Sequence, residues 1–113
     1  MIKVTICRED EKIQSFEISG HANSGPYGYD LVCAAVSAVS FGAVNAAFQL
    51  SECELDLEQG GEGGYLAVSI PSKASAKQKE KIYQAFEVMF ISLQTIEREY
   101  NQFIQIEEVS SSC

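Results

Sequence analysis

The chain has 113 residues, of which 46% are hydrophobic and 10% aromatic, with two prolines. This length and composition predict a single folded domain over residues 1–113 and exclude a disordered chain. The formal net charge of −8 disfavours direct binding of nucleic acid, because phosphates are bound through lysine and arginine.

The first twenty residues predict a β-hairpin. Residues 2–8 and 12–19 alternate apolar and polar side chains, and Glu9-Asp10-Glu11 joins them. No basic start followed by a long apolar run precedes this alternation, so we expect no signal peptide and a cytoplasmic protein. In that compartment all the cysteines are expected to be reduced thiols. They are Cys7, Cys33, Cys53 and Cys113.

A metal site has no support in the sequence. The chain has one histidine, and its four cysteines are scattered, with no C-x-x-C pair. This pattern does not fit a tetrahedral zinc site. We therefore expect neither a metal nor another cofactor.

A glycine-rich loop over residues 20–29 precedes an uncharged helix. Asp30 is a favourable N-cap, which places Cys33 at the third helical position, and the helix is expected to run to about Ser51. Residues 31–50 are long enough to span a bilayer. Their alanines and polar residues make insertion unfavourable, so we expect no membrane contact. The prediction is a helix buried on most sides, in part by another subunit.

The second half of the chain predicts two strands, a helix and a last strand. Residues 52–57 and 65–70 alternate and are joined by a glycine-rich turn over residues 58–64. Pro71 ends the second of these strands, and Ser75-Ala76-Lys77-Gln78 fits a capping box. A helical stripe packed on the core follows: Ile82, Phe86, Met89, Leu93 and Ile96. Residues 102–106 predict the final strand, and the tail from Ser110 is expected to fray.

These elements follow the order β-β-α-β-β-α-β, with no internal repeat and no linker. Hairpins imply an antiparallel pairing, and both helices need an apolar face to rest on. The sequence therefore predicts an α+β two-layer sandwich, with a mainly antiparallel sheet of about five strands and two long helices.

Cys33 and His21 are the candidate catalytic residues. A sulfur in the first turn of a helix lies near unpaired backbone N–H groups and the positive end of the helix dipole, which stabilise a thiolate. His21, twelve residues earlier in the loop, can serve as a general base. The free helix amides can stabilise an oxyanion. Together these parts are typical of an acyl-transfer site.

Each of these residues also has a structural interpretation. A cysteine in an Ala/Val-rich helix is usually a small buried hydrophobe, and a loop histidine is often solvated. Asp30 either caps the helix alone or also orients His21. Ser37, one turn after Cys33, either hydrogen-bonds near the thiol or bonds back to the helix. The loop glycines either permit positive φ or form a mobile cover for a peptide.

The loop and helix start carry a resemblance to a known family. The run Gly20-His21-Ala22, then Gly25, Gly28, Asp30 and Val32-Cys33-Ala34-Ala35-Val36-Ser37, closely resembles the ribosomal-processing cysteine protease family Prp (YsxB-like). The family pattern is a G-H-A start, a glycine-bearing loop, and D-[IL]-V-C-A-[AG]-[VI]-S. The chain matches essentially every motif position, and its length and element order also fit.

The resemblance implies a homodimeric cytoplasmic cysteine endopeptidase. Such enzymes remove an N-terminal extension from a large-subunit ribosomal protein, the twenty-seventh, during ribosome assembly, cutting after an aromatic residue. By position, the nucleophile falls on Cys33 and the general base and acid on His21. Asp30 and Ser37 occupy motif positions and are carried over as supporting residues. The substrate loop comprises Gly20, Asn23, Ser24, Gly25, Tyr27, Gly28 and Tyr29.

Two other functions remain open. One is a non-enzymatic ribosome-assembly module whose loop binds a peptide without cutting it, and the other is a small acyltransferase that also uses the thiol. Tyr27, Tyr29 and Phe41 are candidates for selecting an aromatic substrate side chain.

Overall fold

The computed structural model describes residues 1–20, 28–60 and 64–110. Its elements follow the predicted order. They are β1 (Ile2–Glu9), β2 (Lys12–Ser19), α1 (Gly28–Ser51), β3 (Asp56–Gln59), β4 (Tyr65–Ser69), α2 (Ala76–Glu99) and β5 (Ile104–Ser110).

The strands form one five-stranded sheet in the order β3-β4-β2-β1-β5. The pairs β1/β2, β2/β4 and β3/β4 are antiparallel, while β1 and β5 are parallel. The parallel pair arises because the chain returns through α2 before entering β5, and parallel neighbours need such a crossover. The predicted α+β sandwich with a mainly antiparallel sheet is confirmed.

The core lies between one face of the sheet and the two helices. β1, β2 and β4 contribute alternate buried side chains, such as Val4, Phe16 and Val68, and β5 contributes Ile104. The Phe16 and Phe86 rings meet edge to face with centroids 5.2 Å apart, which joins β2 to α2. The predicted stripe of α2 is confirmed. Four of its members are buried, Ile82, Phe86, Met89 and Leu93, and Ile96 packs against them.

Two local predictions are confirmed by their hydrogen bonds and dihedral angles. Asp10 and Glu11 have φ values of 50° and 65°, as expected for the two-residue turns that join twisted hairpin strands. At the start of α2, the Gln78 N–H donates to Ser75 Oγ at 3.1 Å, and the Ser75 N–H donates to Gln78 Oε1 at 2.9 Å. This is the predicted capping box.

The boundaries of β3 and β5 differ from the prediction. β3 begins at Asp56, not at residue 52, because the end of α1 uses the intervening residues: Glu52 has a φ of 58° and the Cys53 N–H donates to Ser51 Oγ at 3.1 Å. β5 begins at Ile104, because residues 101–103 form a turn, and it continues to Ser110. The rest of the predicted frayed tail lies outside the described residues.

The start of α1 also differs from the prediction. The helix begins at Gly28, so Asp30 lies in its first turn and the prediction of Asp30 as the N-cap is wrong. An aspartate inside the first turn is also stabilised by the helix dipole, so the residue type did not fix the boundary. Cys33 is consequently the sixth residue of α1 and not its third.

The burial of α1 is lower than predicted. In the apolar window within Leu31–Ser51 only 22% of the residues are buried, because the sheet and α2 contact one side of the helix. Leu31 is 63% exposed and Leu50 58% exposed. By length and composition alone α1 could cross a membrane, a test that core helices of soluble proteins also pass.

The cysteines are not all reduced. Cys7 is disulfide-bonded, whereas Cys33 and Cys53 are free thiols, so the prediction of four reduced thiols is wrong at Cys7. Cys113 lies outside the described residues. The prediction relied on the expected compartment, and compartment says nothing about which side chains the fold brings together.

Candidate active site

The Cys33 side chain is half-buried and carries a free thiol. It lines a cavity of about 280 Å³ at one end of the sheet. Other residues on the wall are Gly20, Ser37, Phe41, Gln59, Tyr65 and Leu66. Cys33 therefore both packs against the core and lines a space that a ligand could occupy.

The fold brings four strand ends to this cavity. β1 begins and β2 ends there, and the β3–β4 hairpin supplies Gln59, Gly60, Gly64 and Tyr65. From α1, the cavity is lined by Cys33, Val36, Ser37, Ser40 and Phe41. Since this end of the sheet gathers residues from distant parts of the chain, the site depends on the complete sheet and not on the motif alone.

Gly20, which directly precedes His21 in the sequence, is held in place at this cavity. Its φ is 103°, a value that favours glycine. A Cβ on this residue would lie 2.3 Å from the Met1 carbonyl oxygen. Its N–H donates to the Gly64 carbonyl oxygen at 2.9 Å. Of the two interpretations of the loop glycines, positive φ therefore holds for Gly20.

Several predicted site residues lie outside the described part of the chain. They are His21, Asn23, Ser24, Gly25 and Tyr27. The backbone of Gly28, Tyr29 and Asp30 forms the first turn of α1. The contact between His21 and Cys33 therefore stays a prediction.

Ser37 lies one turn after Cys33, is exposed, and lines the same cavity. One interpretation of Ser37 was a hydrogen bond from its hydroxyl to a backbone carbonyl one turn earlier. Ser40 makes a bond of this kind. The buried Ser40 Oγ donates to the Val36 carbonyl oxygen at 2.8 Å. Ser37 therefore lies on the flank of α1 that borders the cavity.

The helix start and the cavity lining suit a neutral peptide group. In a helix the first four N–H groups have no partner within the helix, and α1 begins at Gly28. Among the described residues, no Asp, Glu, Lys or Arg lines the cavity. Amide donors stabilise a developing oxyanion more strongly in such uncharged surroundings than in water.

Tyr65 connects the cavity to the other face of the sheet. Its hydroxyl donates to Glu17 Oε2 at 3.0 Å, and this hydrogen bond to a carboxylate raises the pKa of Tyr65 above its ordinary value. The sequence analysis missed Tyr65, Gln59 and Leu66 as cavity residues. Only the pairing of β4 with β2 and β3 brings them to Cys33, and no local sequence pattern predicts that pairing.

Within the described ranges no cluster of His, Cys, Asp and Glu could hold a metal ion.

Comparisons with known proteins find similarity over almost the whole chain. A family model described as cysteine protease Prp matches residues 1–105. The ribosomal processing cysteine protease Prp of Bacillus subtilis is 44% identical over 107 residues, which cover 94% of this chain and 96% of that protein.

Two crystal structures of the essential ribosomal processing protease Prp from Staphylococcus aureus share the fold. The structure in complex with a substrate peptide has a TM-score of 0.84 and 35% identity, covering 96% of this chain and all (100%) of that one. The structure with a covalently linked product peptide has a TM-score of 0.82 and 36% identity, with the same coverage.

Proposed function

This chain belongs to the cysteine protease Prp family, and from that membership we propose that it cleaves a ribosomal protein with Cys33 as its nucleophile. The chain is a cysteine-type endopeptidase. One observation carries the assignment of the nucleophile. Cys33 is a free, half-buried thiol that faces a cavity beside the start of a helix. The second described free thiol, Cys53, is 6% exposed.

The proposed reaction begins with transfer of the Cys33 thiol proton to His21. The thiolate attacks the carbonyl carbon of the scissile peptide bond, and N–H groups from the first turn of α1 donate to the oxyanion. His21 then gives its proton to the leaving amine as the C–N bond breaks, which leaves a thioester on Cys33. Water, deprotonated by His21, hydrolyses the thioester and restores the thiol.

The proposed substrate is the N-terminal extension of a large-subunit ribosomal protein, the twenty-seventh, in the cytoplasm. Ribosomal proteins bind RNA phosphates and are therefore rich in lysine and arginine, which the net charge of −8 complements. Asp30 and Ser37 support the catalytic pair, and the loop that includes Asn23 and Tyr29 contacts the peptide. Tyr27, Tyr29 and Phe41 are proposed to contact the aromatic side chain before the cut.

The experiment is mass spectrometry of that ribosomal protein before and after incubation with the enzyme. The wild-type chain and Cys53→Ser, the matched control at the other free thiol, are expected to release the extension. Cys33→Ala and His21→Ala are expected to leave it intact. Cleavage by Cys33→Ala contradicts the proposal. Binding without cleavage by the wild-type chain favours the assembly module instead.

The same chain is proposed to act as a homodimer. α1 and α2 leave an apolar groove of about 410 Å³ between their outer surfaces. Leu50 of α1 and Val88 of α2, both on its wall, are 58% and 65% exposed. A second copy of the chain would bury these side chains, and contiguous apolar surface of this kind is typical of protein interfaces. We therefore define this groove, lined by Val39, Ala46, Leu50 and Val88, as the dimer groove.

A further inference from the structure

β3 is the sheet edge that reaches the nucleophile. The strand order leaves two edges, β3 and β5. Gln59 and Gly60, at the end of β3, line the Cys33 cavity, whereas no residue of β5 does. Within residues 1–20, 28–60 and 64–110, no backbone hydrogen bond reaches β3 from the side away from β4. The outer edge of β3 therefore offers unused donors and acceptors that end beside Cys33.

The ladder between β3 and β4 fixes which backbone groups point outward. The Gly60 N–H donates to the Tyr65 carbonyl oxygen at 3.1 Å, so these two residues form a hydrogen-bonded pair. Hydrogen-bonded and non-hydrogen-bonded pairs alternate along an antiparallel ladder. Glu58 therefore directs its backbone groups toward β4, while Leu57 and Gln59 direct theirs away from the sheet.

The hydrogen bonds between β4 and β2 lead to the same assignment of inward and outward backbone groups. The Ile70 N–H donates to the Gln14 carbonyl oxygen of the β2 side at 3.1 Å. By the same alternation Val68 also bonds toward β2, so it does not bond toward its β3 partner, Leu57. Two independent hydrogen bonds thus place the Leu57 backbone groups on the outer edge.

The side chains of β3 divide between the two faces of the sheet. Leu57 is paired with Val68, and Gln59 with Leu66. Since Val68 and Leu66 are buried under the helices, Leu57 and Gln59 lie on the helix side, and Asp56 and Glu58 lie on the opposite side. A strand added to this edge would alternate its own side chains between the same two faces.

The helix side of this edge carries exposed apolar surface. Cys33, Ser37 and Phe41 line one cavity together with β3–β4 residues, so this flank of α1 faces the hairpin. Phe48 lies two turns after Phe41 and continues the flank. Phe41, Phe48 and Leu57 are 37%, 45% and 45% exposed. Apolar side chains of an added strand would cover them.

We infer that the substrate segment beside the scissile bond binds as a sixth strand, hydrogen-bonded to the backbone of Leu57 and Gln59. This inference rests on the proposed function, since it states how that substrate reaches Cys33. Strand addition to an exposed edge is a general mode of peptide recognition. Alternate substrate side chains are apolar, toward α1, and polar or basic, toward Asp56 and Glu58.

The test compares Leu57→Pro with Leu57→Ala. Both variants lose the leucine side chain, but only proline removes the outward N–H, and the inner ladder does not use that N–H. Proline is tolerated at sheet edges for this reason. We expect kcat/KM for a peptide substrate to be about tenfold or more lower in Leu57→Pro than in Leu57→Ala. The two Tm values should agree within a few degrees.

A second measurement covers the case in which Leu57→Pro does not fold. The wild-type enzyme is given peptides that are N-methylated at one amide at a time beside the scissile bond. Alternate positions should block cleavage, because only every second amide of an added strand faces β3. Equal sensitivity at consecutive amides overturns the inference.

The same assays separate this inference from the proposed function. Cleavage of the unmodified peptide by the wild-type enzyme, absent in Cys33→Ala, tests the function. With that cleavage intact, equal kcat/KM values for Leu57→Pro and Leu57→Ala overturn only the strand pairing. If Leu57→Pro dissociates the dimer, the inference is also overturned, because the β3 edge would then be occupied by a second copy of the chain.

Discussion

The two helices have the same length and opposite surfaces. α1 and α2 each span 24 residues and lie on the same face of the sheet. α2 buries its apolar stripe and carries charged residues elsewhere. α1 has no charged residue after Asp30 and leaves Leu31, Phe41, Phe48 and Leu50 exposed. The core accounts for the apolar stripe of α2, which leaves Val88 and Ile91 exposed, while α1 leaves apolar side chains exposed along most of its length.

This difference assigns the two helices different tasks. α2 stabilises the sheet, since it contacts the central strand β2 and the edge strand β5. α1 carries Cys33 near its start, one flank toward the β3 edge, and the other flank in the dimer groove. The exposed apolar surface of α1 is therefore where we propose that the substrate and a second copy bind. The following changes test that division, from the largest expected effect to the smallest.

The largest effect is expected from Phe86→Ala in α2. Phe86 is fully buried, at 0% exposure, and it contacts the Phe16 ring. Its loss should lower the free energy of unfolding by about 3–5 kcal/mol. Phe48→Ala in α1, the matched control for loss of a phenylalanine, should cost about 1 kcal/mol or less. Urea denaturation at one protein concentration measures both, and equal losses would contradict the division.

The next effect concerns the dimer groove. The double variant Leu50→Glu and Val88→Glu places carboxylates where two copies are proposed to meet. Because charges buried without partners are strongly destabilising, the Kd of dimerisation should rise by about 100-fold or more. Analytical ultracentrifugation measures the change. Ser72→Glu, at an exposed turn outside the groove, is the control, and a double variant that stays dimeric places the interface elsewhere.

The helices also differ in how well the sequence predicts them. The core stripe and the Ser75–Gln78 capping box of α2 depend on residues three and four apart, so the sequence contains the whole signal. The predicted start of α1 is wrong, because an aspartate such as Asp30 is favourable both as an N-cap and inside the first turn. A rule based on residue type cannot choose between those positions.

The site was predictable only where it is local. The motif predicts Cys33 as the nucleophile and the helix that holds it, and Cys33 lines a cavity, while its catalytic role stays a prediction. Tyr65 and Gln59 enter the cavity through pairing between β4, β2 and β3, which joins residues 48 positions apart, as between Tyr65 and Glu17. Likewise, no periodicity reveals that β5 lies parallel to β1 or that Cys7 is disulfide-bonded. Such features depend on the complete topology.

The smallest expected effects are losses of stability from substitutions at the starts of the two helices. Ser75→Ala removes the acceptor of the Gln78 N–H and should cost about 1 kcal/mol of stability. Asp30→Ala removes a first-turn charge and should cost about 0.3–1 kcal/mol, and this cost should shrink at high salt because dipole interactions are screened. Urea denaturation at low and high salt separates the two. A salt-independent loss at Asp30 as large as that at Ser75 would mean that Asp30 acts as a hydrogen-bonding cap. α1 would then begin directly after Asp30, as α2 begins directly after Ser75, and the first unpaired N–H groups would lie nearer to Cys33.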